Sequence, residues 1–406
     1  MVNFKYYNDI KLINYKLKYT MSKKRKICTV IVDRANYGRL KPVLTEIKND
    51  SKLDQHLICA GTMVLERFGK VSDIVKKDGF KVDTELFFEV EGSIPSTMAK
   101  SIGLGIIDFS TQFQKINPEI VLIIGDRYEA LAAAVAAAYM NIPIAHIQGG
   151  EVSGSIDDSA RNAITKLSHI HFPATERSKQ FIANMGEDIN QIYNFGCPVG
   201  DYILHLPDDL KWDDISGGIG NKIDINNDFL LVIFHPDTLD FLSQATYAKS
   251  LIYALNDIKM PTIWLWPNID AGSDSISKTI RIFREHNKAE WLYLIKNLKP
   301  EVFQKLLKKT SCAIGNSSSF VRDTTFTGTP VVLCGERQSF RESGPNLISS
   351  SFEKEEIKKN ILTQIDHGRY KPNNLYGDGS ASTKIVNILK SADLKVKKTI
   401  SYLDNS

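Results

Sequence analysis

No run of apolar residues in this chain is long enough to cross a membrane as a helix, so no membrane span is expected. Cysteine is scarce: Cys28, Cys59, Cys197, Cys312 and Cys334 are scattered, with no C-x-x-C pair. That pattern excludes a disulfide framework and a cysteine-based zinc site. A reduced cysteine in an apolar strand is simply a small apolar residue. There is no H-E-x-x-H and no Cys/His cluster, so no metal is expected. A dinucleotide fingerprint is missing too. The only near match, Gly103-Leu104-Gly105, lies in a predicted helix and fails at the third glycine, so NAD is not expected. Charge of one sign is not in excess. The 51 basic and 47 acidic residues leave a net +4, too balanced for a nucleic-acid binder. Local basic pockets for phosphates remain possible at that balance. These absences describe a disulfide-free cytoplasmic protein with no cofactor and no nucleic-acid or membrane partner.

The composition that is present, 43% apolar and 24% charged, is that of a soluble globular chain, and 406 residues suit two domains. The most informative stretch runs from Ile120 to Lys166. Ile120 to Ile124 is an apolar, β-branched run that reads as a fully buried strand. Gly125 ends it, and Asp126 and Arg127 follow at once. An Ala-rich helix, Glu129 to Met140, leads to a second strand at Pro143 to Ile147. This is a βαβ unit whose polar residues fall at strand ends. Ligands bind outside the carboxyl ends of strands in open α/β sheets, so Asp126, Arg127, Gln148 and Glu151 should share one crevice. Asp157, Asp158 and Arg161 open the next helix.

The rest of the chain repeats the strand-then-helix order, which predicts parallel doubly wound sheets. In the first half, strands are expected at Ile27 to Val32, Leu57 to Ala60, Phe80 to Phe87, His169 to Ala174 and Ile192 to Cys197. Helices are expected at Tyr37 to Lys48, Met63 to Lys77 and Thr97 to Ile116. Apolar periodicity fades between about Tyr202 and Asp228, where Asp, Gly and Asn pairs cluster, and this reads as a linker. A second series follows, with strands at Phe229 to Phe234, Thr262 to Trp266, Trp291 to Ile295, Ser311 to Ile314 and, last, Pro330 to Leu333. The division is therefore an extension, 1–23, outside the core; a Rossmann-like domain, 24–205; a second Rossmann-like domain, 206–372; and a closing segment, 373–406, that packs back on the first domain. The fold class is α/β, two Rossmann-like domains facing a cleft.

Three groups of residues carry chemistry. Gly315 to Asp323, GNSSSFVRD, runs from a strand into small hydroxyl residues that open a helix, a form suited to a diphosphate. The basic residues at other strand ends, Arg34, Arg127, Lys296, Arg337 and Arg341, support that reading. His235 ends a buried strand beside a proline and suits a phosphate contact or the steering of an acid/base group. Asp126, Glu151 and Asp158 fall within one βαβ-loop-helix segment, and proton transfer needs such positioned carboxyls. Tyr376-Gly377-Asp378-Gly379 reads as a turn before the last helix.

Taken together, DRANYGRL, GDRYEAL, HIQGGEVSGSIDDSARNAITKL, FHPDT, WPNIDAGS, IGNSSSFVRD, GTPVVLCGERQSFRESG and YGDGSAS resemble the hydrolysing UDP-N-acetylglucosamine 2-epimerases of sialic-acid synthesis. The resemblance covers about Lys26 to Leu389. It implies a glycosyltransferase-B type fold, a homodimer or homotetramer, a small nucleotide sugar as partner, and neither metal nor NAD. It implies removal of the C2 proton as UDP leaves C1, then hydration of the 2-acetamidoglucal to N-acetylmannosamine. By motif match, Asp126, Glu151 and Asp158 are the acid/base set, with His235 beside them. Arg34, Gly38, Arg127, His235, Asn268, Lys296, Asn297, Ser317, Ser318, Asp323, Arg337 and Arg341 would surround UDP. The chain departs from relatives at Gln148 (a glutamate in some), Gly38 (a serine), Asn297 (a histidine), Asp323 (a glutamate) and Asp274 (a lysine in the animal enzyme). Three rivals stand beside this reading. One is a 2-epimerase of a UDP- or GDP-linked 2,4-diacetamido-6-deoxy sugar or of GDP-N-acetylglucosamine, in legionaminic-acid synthesis. The second is a glycosyltransferase of the same fold. The third is a non-catalytic sugar-nucleotide-binding protein, against which the intact Asp126, Glu151 and Asp158 argue.

Overall fold

The computed structural model describes residues 24–401 apart from Ser93, Ser155, Ser216 and Phe241, so the expected extension lies outside the described residues. Two sheets organise the chain. The first holds β1 (Arg25–Ile31), β2 (Leu53–Ala60), β3 (Thr84–Leu86), β4 (Ile120–Ile124), β5 (Ile144–Ile147) and β6 (Ile170–Phe172). The second holds β7 (Leu230–Ile233), β8 (Thr262–Leu265), β9 (Leu292–Ile295), β10 (Cys312–Gly315), β11 (Val331–Cys334) and β12 (Leu347–Ser350). Every pairing between these strands is parallel, and the orders are β3-β2-β1-β4-β5-β6 and β12-β11-β10-β7-β8-β9. Each half starts at the sheet centre, winds to one edge, then returns and winds to the other. The direction reverses between β1 and β4 and between β7 and β10, the two places where a doubly wound sheet opens a crevice.

Burial explains the strand sequences. All five residues of β4 are buried, as an apolar run with no alternation requires when helices cover both faces. The Ala-rich helix Tyr128–Tyr139 lies against helix Pro95–Ile116 at close range. A Cβ on Gly105 would come within 3.0 Å of Ala132 Cβ and 3.2 Å of the Phe88 ring. Of the glycine pair that failed as a nucleotide fingerprint, Gly105 therefore belongs to a helix crossing, while Gly103 faces open space.

Several expected elements differ. The strand expected over Phe80 to Phe87 is only Thr84–Leu86, at a sheet edge. The helix expected over Met63 to Lys77 is two short 3-10 turns, Gly61–Val64 and Glu66–Phe68, then a helix Val71–Lys77. Gly69, with φ of 84°, interrupts it. Ile192 to Cys197 forms no strand. A single bridge joins Ile192 to His171, and the Cys197 N–H donates to the Tyr376 carbonyl at 2.6 Å instead. Helix Ser273–His286 and strand β12 were not anticipated. The stretch read as a linker contains a short helix, Trp212–Ile215, and buries Ile215, Ile223 and Ile225 in the core of the second sheet. Helix Ala381–Ser391 crosses back: Ile385, Val386 and Leu389 join Tyr37, Leu40 and Leu44 in the core of the first sheet.

Candidate active site

The four reversal-point strands deliver the polar residues to one place. β1 ends at Asp33, whose carboxylate caps the following helix by accepting the Asn36 N–H at 2.6 Å. β4 ends at Gly125, with φ of 80°, and presents Asp126. β7 leads to His235. β10 ends at Gly315, where a Cβ would lie 1.9 Å from the Ile233 carbonyl oxygen, so only glycine lets the chain turn into Ser317 and Ser318.

A cleft of about 390 Å³ opens between the two sets of strand ends. Arg34, Asp126, Arg127 and Asp157 line it from the first domain, and His235, Asn268, Lys296, Ser317, Ser318 and Arg337 from the second. A smaller, more apolar cavity of about 70 Å³ adjoins it, bounded by Gly38, Asn297, Leu298, Phe303 and Asp323. The two cavities share Arg34, Arg39, His235 and Ser317, the larger being richer in arginine and hydroxyl groups and the smaller in apolar side chains.

Three expected residues, Glu151, Asp158 and Arg341, line neither cavity. Glu151 is buried, with its carboxylate held by Arg322 at 2.6 Å and by Arg341. Arg341 is therefore a partner of Glu151, and its Nε donates to Gln338 at 2.7 Å. Asp158 is half-buried, and its carboxylate is turned to the loop before its own helix. It accepts the backbone N–H groups of Ser153 at 2.9 Å and Gly154 at 2.8 Å, the Ser153 hydroxyl at 2.6 Å, and Arg161. Its neighbour Asp157 faces the cleft, because one residue turns a helix by about 100°. The acid of this helix that reaches the cleft is thus Asp157 in place of Asp158.

The arginines differ in what they already hold. Arg34 donates to the carbonyls of Lys296 at 2.7 Å and Trp266 at 3.1 Å, so it reaches across the cleft to the second domain. Arg127 lies buried between Glu129, at 2.8 and 3.0 Å, and Asp270, at 2.5 Å. Two carboxylates already balance it, which weakens its expected role as a diphosphate ligand. Arg337 touches Asp157 at 3.1 Å and stays on the wall. Arg39 and Arg322 were not singled out from the sequence. Arg39 lines both cavities and donates to Ser318 Oγ at 3.0 Å, and Arg322 donates to the same oxygen at 2.9 Å. Asp270, Asp157 and Arg161 were likewise passed over as site groups. The available signal was position alone: each follows a strand end or starts a helix beside one that was chosen.

The two cleft carboxyls are driven apart. Burial would raise Asp126, but Arg161, Arg341 and Arg322 outweigh it and hold the group well below the usual carboxylate range. Burial pushes Asp157 up to about 6, with Arg337 opposing and the charges of Asp126 and Asp270 adding to the rise. The two carboxyls are thus shifted in opposite directions, the arrangement that lets a pair of acids divide acid and base roles. The His235 Nδ1 accepts the Asn268 N–H at 3.2 Å, so the ring carries its proton on Nε2. Burial, helped by Arg337, Arg34 and Arg127, holds this imidazole well below its ordinary value, so it is a neutral donor in the cleft.

These buried neutral imidazoles set a pH dependence. His146 on β5 is also pushed down, to about 3, by burial. Below about pH 6.5 the unfolded chain protonates both rings while the folded chain does not. Stability should therefore be full above 6.5 and fall as pH drops below it. Thermal midpoints measured from pH 8 to 5 should decline on the acid side, with a shallower slope in His235→Asn. An unchanged slope in that variant would mean that His235 is charged when folded.

Two facing Rossmann-like sheets with an arginine-rich cleft between their strand ends define the glycosyltransferase-B class of fold. Within it, the chain belongs to the UDP-N-acetylglucosamine 2-epimerase family, whose sequence profile matches residues 45–390. It is 32% identical over 370 residues to a UDP-N,N'-diacetylbacillosamine 2-epimerase (hydrolyzing) of Legionella pneumophila, covering 91% of this chain and 97% of that protein. It is 30% identical over 362 residues to a UDP-N-acetylglucosamine 2-epimerase of Neisseria meningitidis, covering 88% of this chain and 92% of that one. The crystal structure of the Methanocaldococcus jannaschii UDP-GlcNAc 2-epimerase in complex with UDP-GlcNAc and UDP shares the fold, with a TM-score of 0.73 at 17% identity over 90% of this chain and 99% of that one.

Proposed function

We propose that this protein is a hydrolysing 2-epimerase that converts UDP-N-acetylglucosamine and water to N-acetylmannosamine and UDP, the opening step of sialic-acid synthesis. One observation carries the reading: Asp126 and Asp157, whose proton affinities are shifted in opposite directions, face a rim of His235, Ser317, Ser318 and Arg337 across a single cleft. Asp126 takes the C2 proton while the C1–oxygen bond breaks and UDP leaves with the electron pair. Water then adds its oxygen at C1 of the 2-acetamidoglucal while Asp157 gives a proton to the opposite face of C2. The proton that the water gives up restores Asp157, and Asp126 releases the original C2 proton to solvent. The leaving diphosphate needs positioned donors, and the Ser317 and Ser318 hydroxyls, Arg337 and neutral His235 supply them. The adjoining cavity accepts the nucleoside. Arg39 adds a cation where the two cavities meet.

A second reading is favoured by the Legionella pneumophila relative: the same reaction on a UDP-linked 2,4-diacetamido sugar. One experiment separates the two. The protein is incubated in deuterated water with each sugar nucleotide and the products are read by NMR. Free N-acetylmannosamine with deuterium at C2 supports the first reading. Turnover of the diacetamido sugar alone selects the second, and no turnover of either rejects both.

A further inference from the structure

Three elements carry the acids and their arginine: the end of β4 with Asp126, the loop after β5 with Glu151, and helix Asp157–Leu167 with Asp157, Asp158 and Arg161. One side chain touches all three. His146 lies on β5 and is fully buried. Its Nε2 is 2.8 Å from the carbonyl oxygen of Gly125, the residue before Asp126. Its Nδ1 is 3.1 Å from Thr165 Oγ1, on the helix. The loop closes over the same pair. A Cβ on Gly149 would come within 2.9 Å of the His146 Nδ1 and 2.7 Å of Thr165 Oγ1.

The hydrogen positions follow from the partners. A carbonyl oxygen only accepts, so Nε2 carries the hydrogen and Nδ1 accepts from the Thr165 hydroxyl. Of the two bends beside this ring, that at Gly125, with φ of 80°, is open to glycine, whereas Gln148, with a side chain, has φ of 65°, a conformation unfavourable for it. Such a conformation persists where surrounding contacts over-determine it. We infer that His146 is a positioning residue that locks the end of β4, the start of the glycine loop and helix Asp157–Leu167 together, and so fixes Asp126 and Asp157 relative to each other. His146 is absent from the residues lining the cleft. Burial keeps it neutral, with the Gly125 bond opposing and His171, Arg161 and Asp126 as its charged or titratable surroundings. It therefore moves no proton itself.

The inference rests on the acid pair of the proposed function, and its test is built to fail separately. His146→Phe keeps a ring and removes both hydrogen bonds. His146→Gln restores a donor toward the Gly125 carbonyl. Thr165→Val removes the other partner at nearly constant volume. Misplacing a reacting group by about 1 Å costs ~10²-fold in rate, so His146→Phe should lose kcat on that scale while KM and UDP affinity change by less than about threefold. His146→Gln should recover part of the loss, and Thr165→Val should lower kcat in the same direction even if His146→Phe does not fold. Wild-type kcat in a folded His146→Phe protein would overturn the inference. So would a fall in UDP affinity matching the fall in kcat, or a Gln variant no better than Phe. Histidine-labelled wild-type protein adds a readout free of turnover: nitrogen NMR should show His146 as the neutral Nε2–H form from about pH 5 to 9. A charged or Nδ1–H ring would overturn the inference even if neither sugar nucleotide is a substrate.

Discussion

Asp126→Asn and Asp157→Asn should each lower kcat by at least ~10²-fold, the low end for general acid–base catalysis, while leaving UDP affinity nearly unchanged. The two carboxyls face the same cleft but have opposite proton affinities. Neither is needed to hold a diphosphate, and removing one lessens repulsion there. Asp158→Asn should behave differently. That carboxylate serves the Ser153 and Gly154 N–H groups and Arg161, so its loss should first appear in thermal stability. Steady-state rates with calorimetry for UDP decide the matter. If Asp157→Asn turns over normally and Asp158→Asn does not, the assignment by cleft exposure is wrong and Asp158 regains the role its sequence position suggested. If all three turn over normally, proton transfer by these acids is rejected.

The second large effect is expected at Glu151. Its carboxylate comes from the first domain, and the two guanidiniums that hold it, Arg322 and Arg341, come from the second. All three side chains are almost wholly buried. Removing one member of such a group leaves charge buried and unpaired, which costs about 3–5 kcal/mol. Glu151→Ala should therefore shift chemical denaturation strongly toward lower denaturant. Glu151→Gln, which keeps an acceptor oxygen, should cost less. A midpoint unchanged in Glu151→Ala would show that the arginines find other partners. Activity alone cannot separate the alternatives here, since a proton-transfer role also predicts loss. Denaturation of both variants can.

The strands of both sheets were largely legible, because an apolar run bounded by glycine or aspartate has few other readings. Edge elements were not. β12 has only one fully buried residue, so its apolar signal is weak, and Ile192 to Cys197 has the composition of a strand but pairs with the closing segment. Helix Ser273–His286 is polar on most of its surface and buries only Ser273, Ile276, Ile280 and Phe283. At the site, residue type and strand-end position were enough to gather Asp126, His235, Ser317, Ser318 and Arg337 around one cleft. They could not tell Asp157 from Asp158, a choice made by helix rotation. Nor could they show that Arg127 is balanced by Asp270, a residue 143 positions away. Long-range pairing of that kind has no local sequence signature.

Helix Ala381–Ser391 follows the whole of the second domain and completes the core begun by β1. The first sheet is continuous in sequence, from β1 to β6, but the core of the first domain is not: the second domain is inserted between β6 and the helix that closes that core. On a ribosome, chains emerge from the amino end and domains generally fold as units. Here the first domain cannot complete the core around Tyr37, Leu40 and Leu44 until helix Ala381–Ser391 has emerged. The second domain, though later in order, has every strand and helix of its own core earlier in hand. Synthesis thus reverses the order of completion, and a nascent chain halted before Ala381 carries a finished carboxyl-side domain beside an amino-side domain with an open apolar flank.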